Sequence, residues 1–168
     1  AWQGEDGTSF LLIAGLISAL LGFLACNARH PWQARARVFL GDAGALALGL
    51  LLCWFALMLA RGPRPAMPSV LLLYAVALPV MDMVTVSVRR MLRGVSPMRA
   101  DRTHLHHLLL YKGYSVELSV PMLWALDAAL ASLGLILWRL GASAGLLLLV
   151  FIGLLLAMFL GAIDGTIV

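Results

Sequence analysis

Hydrophobic positions in this chain come in unbroken runs rather than alternating with polar ones. Five runs stand out: roughly Ser9–Cys26, Ala43–Ala60, Ser69–Val88, Val120–Trp138 and Ala142–Ile163. Each approaches the ~20 apolar residues that a helix needs to cross a hydrocarbon core of ~30 Å. The runs are rich in Leu and Ala and show no period of two, so helices are expected rather than barrel strands. The pattern predicts an all-α polytopic membrane protein with about five transmembrane helices, its chemistry carried on cytoplasmic loops. The first run follows the acidic stretch Gly4-Glu5-Asp6-Gly7 instead of a positive segment, which argues against a signal peptide. The chain opens on Ala1 rather than Met, a start expected of a fragment or a processed protein.

Composition agrees with the pattern. Of 168 residues, 62% are hydrophobic and 12% charged, with a mean hydropathy of +0.98. A soluble domain is typically about 45–50% apolar and about 25% charged. Disorder and an ordinary water-soluble enzyme are excluded, and the surplus of apolar surface has to face lipid. The net charge of +4 would suggest nucleic acid in a soluble domain. In a membrane protein the charge is first a matter of loops, and no nucleic-acid partner is expected. Nine of the twelve basic residues fall in two loops on one side of the predicted spans. One loop, 27–42, holds Arg29, Arg35 and Arg37; the other, 89–119, holds Arg89, Arg90, Arg93, Arg99, Arg102 and Lys112. The positive-inside rule puts both loops in the cytoplasm, with the N-terminus outside. Cys26 and Cys53 form no C-x-x-C pair, and both read as buried apolar thiols.

The two basic loops also hold all four histidines (His30, His104, His106, His107) together with Asp42 and Asp101. In Val38-Phe39-Leu40-Gly41-Asp42-Ala43-Gly44 a carboxylate stands where an apolar helix begins. It can cap that helix, or it can bind Mg²⁺, which is often held by one or two carboxylates plus substrate phosphates. Asp101-Arg102-Thr103-His104-Leu105-His106-His107 allows three readings. It can be a solvated basic loop, a transition-metal site, or a cradle in which imidazoles and guanidinium groups hold a phosphate or diphosphate. On a continuous helix His104 and His107 would share a face and His106 would point elsewhere. Asp82 lies inside the third run, about 10 Å below the cytoplasmic boundary by helical rise. It is a functional candidate or a partner for Arg89 and Arg90. Asp127, with no motif around it, reads as a hydrogen-bonded acid between helices. Asn27 ends the first helix, either as an αL cap or as a substrate ligand.

Four stretches together resemble the polyprenyl-phosphate N-acetylhexosamine-1-phosphate transferase family, in particular the bacterial undecaprenyl-phosphate GlcNAc-1-phosphate transferases. They are Leu21-Gly22-Phe23-Leu24-Ala25-Cys26-Asn27, Arg37 through Gly44, Leu78-Pro79-Val80-Met81-Asp82, and Arg89-Arg90 through the histidine motif. The spacing from Arg90 to His107 is the most specific element. The resemblance runs from about residue 10 to 120, and the last two runs match only in hydrophobicity. Family members usually have ten or eleven spans. Their N-terminal half carries an Asp-Asp pair and an Asn…Asp-Gly motif, neither of which occurs here. The resemblance therefore implies that 1–168 is the C-terminal half of such a domain.

The implied reaction is transfer of a sugar 1-phosphate, GlcNAc-1-phosphate by preference, from a UDP-sugar to undecaprenyl phosphate. UMP would leave, and cell-envelope polysaccharide synthesis such as that of O-antigen lipopolysaccharide would begin. The resemblance implies Asp42, His104, His106 and His107 as catalytic residues, with Asp42 on Mg²⁺ (Mn²⁺ as the alternative). Asn27, Asp82, Arg89, Arg90, Asp101 and Arg102 become substrate-binding candidates. It also implies a multi-pass protein of the bacterial inner membrane, its active face cytoplasmic, with a homodimer as the assembly to test. Two other readings compete: a membrane transporter or assembly subunit, for which Asp82 and Asp127 are the features in favour, and an inactive transferase fragment.

Overall fold

The computed structural model describes residues 5–29, 33, 35–60, 67–96 and 104–164. Among the described residues seven helices follow in chain order: α1 (Glu5–Asn27), α2 (Gly41–Ala60), α3 (Leu71–Ala75), α4 (Ala77–Leu92), α5 (Leu105–Tyr111), α6 (Val116–Arg139) and α7 (Ala144–Asp164). Among the described residues there is no β-strand, and four helical segments are long and apolar enough to cross a membrane: Phe10–Asn27, Gly41–Met58, Val116–Arg139 and Ala144–Gly161. The chain is thus an all-α polytopic membrane protein. It divides into two compact units, Ala1–Leu50 and Leu51–Val168.

The third apolar run is helical, but it is not one helix. α3 stops at Ala75 and α4 starts at Ala77, across Val76 at φ −129° and ψ 31°. Pro79 is the cause. It has no N–H to give the Ala75 carbonyl, and its ring would strike that carbonyl in a continuous helix. The break frees the N–H of Leu78, and Asp127 on α6 accepts it through Oδ1 at 2.9 Å. A half-buried acid within an apolar span is thereby tied to the start of a neighbouring helix, the structural role its sequence context suggests.

In the second unit, α3, α4, α5 and α7 all pack on α6. The core is Tyr74, Ala77, Met81, Leu147 and Phe151. Tyr74 donates its hydroxyl to the Leu147 carbonyl at 2.7 Å and meets Phe151 edge-on, with ring centroids 5.5 Å apart. Its ring lies directly on the backbone of α6 at Gly134, where a Cβ would come within 2.8 Å of Tyr74 Cβ. No larger residue fits there without moving α3 off α6.

Glycines at both ends of the histidine loop turn the chain sharply. α4 ends with Gly94 at φ 68°, and α5 with Gly113 at φ 88°. In each case a pair of backbone bonds closes the helix: Gly94 N–H to Met91 O and Val95 N–H to Arg90 O, then Gly113 N–H to Leu110 O and Tyr114 N–H to Leu109 O. These are the paired bonds of a Schellman C-cap, which needs a residue tolerant of positive φ.

Most large apolar side chains of α1 and α2 are exposed, as lipid-facing helices require. Cys26 and Cys53 share that fate. Both are free and exposed, not buried, because in a bilayer an apolar thiol need not hide inside protein.

Candidate active site

In the first unit, α1 ends at Asn27 without an αL cap, since no described non-glycine residue has positive φ. Gln33 does the capping. Its side-chain amide donates to the carbonyls of Cys26 at 2.8 Å and Ala28 at 3.0 Å, and Arg37 N–H also reaches Cys26 O at 3.2 Å. No motif around Gln33 announces this. Asn27 leaves its own Oδ1 buried and without a hydrogen-bond partner among the described residues. Asp42 is the second residue of α2, following Gly41 at φ 71°. Among the described residues its carboxylate makes no hydrogen bond or ion pair, so the capping reading is not what the structure shows.

The second unit gathers the other candidates around Asp82. Asp82, Thr85 and Arg89 recur on one side of α4, at the three- and four-residue spacing that brings side chains together on a helix. Thr85 is buried, and its hydroxyl has no hydrogen-bond partner among the described residues. Arg89 is only 5% exposed, whereas Arg90 beside it is half-buried. The two arginines, both substrate-binding candidates, thus differ in exposure. The Gly94 turn ends α4 five residues after Arg89.

Asp82 uses both carboxylate oxygens. Oδ1 accepts the backbone N–H of Leu105 at 2.9 Å, and Oδ2 lies 2.9 Å from His104 Nδ1. Leu105 is the first residue of α5 and His104 its N-cap, with an extended backbone (φ −63°, ψ 152°). The side chain of His104 makes no bond to its own helix. The acceptor a capping residue would normally offer comes instead from α4. This overturns the expected grouping of the histidines. Because the helix starts after His104, the ring of His104 leaves the helical spacing. His106 is near both others, with ring centroids 5.9 Å from His104 (interplanar angle 13°) and 4.0 Å from His107 (39°). Burial, then the neighbouring His107 and His104, hold the pKa of His106 below its ordinary value, against the smaller upward pull of Asp82. Asp101 and Arg102 lie outside the described residues, as does His30.

The arrangement offers three imidazoles side by side, one of them anchored by a carboxylate. Such groups can donate hydrogen bonds to phosphate oxygens and exchange protons near neutral pH. Among the described residues no three or more His, Cys, Asp or Glu side chains are grouped so as to hold a metal ion.

Comparison with known proteins shows what the sequence is similar to. Residues 1–60 match the sequence model of glycosyl transferase family 4. The chain is 33% identical to the undecaprenyl-phosphate alpha-N-acetylglucosaminyl 1-phosphate transferase of Haemophilus influenzae over 121 residues, 72% of this chain and 34% of the relative. The same-named protein of Escherichia coli strain K12 is 33% identical over 133 residues, 78% of this chain and 36% of the relative. That of Salmonella typhi is 33% identical over 119 residues, covering 71% and 32%. No solved structure matches. The chain is thus similar to glycosyl transferase family 4 over residues 1–60, and it spans about a third of the length of these relatives.

Proposed function

We propose that the protein containing this chain transfers GlcNAc-1-phosphate from UDP-GlcNAc to undecaprenyl phosphate, releasing UMP. The observation that carries the reading is the histidine cluster anchored on Asp82, in a chain one-third identical to enzymes named for that transfer. Phosphoryl transfer needs little covalent chemistry from the protein. It needs positioning and stabilisation of charge on the phosphate oxygens. His104, His106 and His107, with Arg102 and Asp101, would hold the diphosphate and the carrier phosphate. Arg90 and the buried Arg89 would set a positive field at that end of α4. Asn27 would offer its unpaired Oδ1 to a substrate donor group.

Asp42 fits the role of a magnesium ligand, because its carboxylate has no other partner among the described residues. Mg²⁺ keeps most of its waters and takes one or two carboxylates, so this chain would lend the ion a single ligand. When bound, the ion neutralises charge on the phosphate oxygens. The C-terminal half of the enzyme, the bacterial inner membrane, a cytoplasmic active face and a role in starting O-antigen lipopolysaccharide synthesis belong to the same reading, as does a homodimer. A transporter is disfavoured by the use of its two intramembrane acids. Asp127 holds the start of α4 and Asp82 the start of α5, so both serve as helix anchors.

The test is transfer of radiolabelled sugar phosphate from UDP-GlcNAc to undecaprenyl phosphate by the full-length protein in detergent with Mg²⁺. Lipid-linked product and UMP in equal amounts are expected, falling about 100-fold or more when His104 or His107 becomes Ala. Full activity in those variants would remove the histidines from the mechanism.

A further inference from the structure

We propose that Asp82 is a positioning residue: it fixes His104 as the tautomer protonated on Nδ1, so that Nε2 is the nitrogen offered to the substrate. The inference rests on the transferase reading for what Nε2 would meet, but not for the tautomer itself.

The argument starts from the carboxylate. An ionised carboxylate only accepts hydrogen bonds. Its Oδ1 takes the Leu105 N–H, and its Oδ2 faces His104 Nδ1 at 2.9 Å. Nδ1 must therefore carry a proton in that contact. The Leu105 bond also denies Asp82 the freedom to turn away. The same carboxylate starts α5 and holds the ring, so the ring's position is locked to the backbone that carries it. His104 contributes by being an N-cap with an extended backbone and no cap bond of its own, which leaves its side chain free to reach back to α4. The near-parallel ring of His106 flanks it. The side chain of Asp82 is 19% exposed and that of His104 34%, so the carboxylate is the more sheltered of the pair and the imidazole the more accessible.

The chemical consequence is specific. With Nδ1 engaged, neutral His104 presents a lone pair at Nε2. Only the imidazolium presents an N–H donor there, balanced by Asp82 on its far side. Among the described residues His106 has no such carboxylate bonded to it, and burial, then the neighbouring His107 and His104, hold its pKa below the ordinary value. The cluster therefore has one member whose ring is oriented by a carboxylate and whose Nε2 faces away from it.

A purely structural role for Asp82, as the anchor of α5, is the competing explanation, and Asp82→Asn separates the two. The amide oxygen of Asn still accepts the Leu105 N–H. Its NH₂ can only donate, so it must meet an unprotonated Nδ1, and the ring proton moves to Nε2. Full-length enzyme is labelled with ¹⁵N-histidine, and His104 is assigned by comparison with His104→Gln. Ring-nitrogen shifts are recorded at a pH where the imidazole is neutral, and kcat and KM are measured alongside.

The expected result is an Nδ1–H tautomer in the parent and Nε2–H in Asp82→Asn. The variant should lose about 100-fold or more in kcat with KM changed little, and Asp82→Glu should restore part of it. An Nε2–H tautomer in the parent overturns the proposal, even if no variant folds. So does an Asp82→Asn variant that keeps Nδ1–H, or that keeps its kcat. A parent enzyme with the Nδ1–H tautomer but no transfer from UDP-GlcNAc would leave the dyad standing and refute the transferase reading instead.

Discussion

The bond from Asp127 to the Leu78 N–H makes a sharp test of how the third apolar run is built. Pro79 breaks the helix at Val76, and Leu78 loses the carbonyl it would otherwise meet one turn back. Asp127 Oδ1 replaces it at 2.9 Å, at a position where Leu78 is buried. Changing Asp127 to Ala leaves a buried donor with nothing to bond. A stranded donor of this kind costs about 1–3 kcal/mol. Interhelical bonds in membranes average nearer ~0.6 kcal/mol, because the unfolded state in lipid finds other partners. The upper range is expected here, since the break removes the local alternative. Asp127→Asn keeps an acceptor oxygen in the same place and should lose roughly 1 kcal/mol or less, the ordinary worth of a single bond. For a chain of this size each kcal/mol is about 2–4 °C in Tm. Thermal unfolding in detergent, followed by tryptophan fluorescence, should rank the parent and Asn variant close together and the Ala variant several degrees lower. Equal melting of the Asn and Ala variants would refute the argument, because it would mean the carbonyl oxygen at position 127 does nothing for α4.

Other outcomes follow from the same geometry. Asp42→Asn in the full-length enzyme should abolish most transfer and raise the Mg²⁺ needed for what remains, in a titration of activity against metal; near-parental activity would return Asp42 to a structural role. His106 has a depressed pKa in the folded state, so folding binds fewer protons there than the unfolded chain does. Its contribution is present above the ordinary histidine value of 6.5 and is lost as pH falls through the lower folded value. The melting midpoint should therefore decline on acidification below about pH 6.5, and His106→Gln should flatten that decline. With Cys26 and Cys53 changed to Ser, Lys112→Cys should react with an impermeant maleimide only after the cell is opened; labelling of intact cells would reverse the assigned orientation.

Much of the architecture is legible in the residues, for a physical reason: lipid imposes length and apolarity on any helix that crosses it. The runs at α1, α2, α6 and α7 announce themselves that way. The basic loops and the histidine motif are equally visible, because charge and imidazole are conspicuous against so apolar a background. Pro79 could have announced the break in the third run, since a proline inside an apolar helix interrupts its bonding. Length and hydropathy, which count residues and not bonds, passed over it.

What only the tertiary structure decided is the set of partners. Asp127 finds Leu78 across 49 residues and Asp82 finds Leu105 across 23, and no local spacing rule reaches that far. The helical rule that pairs residues three and four apart misplaced His106, because α5 starts one residue after His104 and so takes His104 out of the periodicity. Arg89 and Arg90 read alike in the sequence, as neighbouring basic residues of one loop, yet in the packed protein Arg89 is buried and Arg90 half-buried. Sequence supplies the charges and the apolar lengths. Which carboxylate meets which N–H depends on how separate helices dock, and that is a property of the packed protein alone.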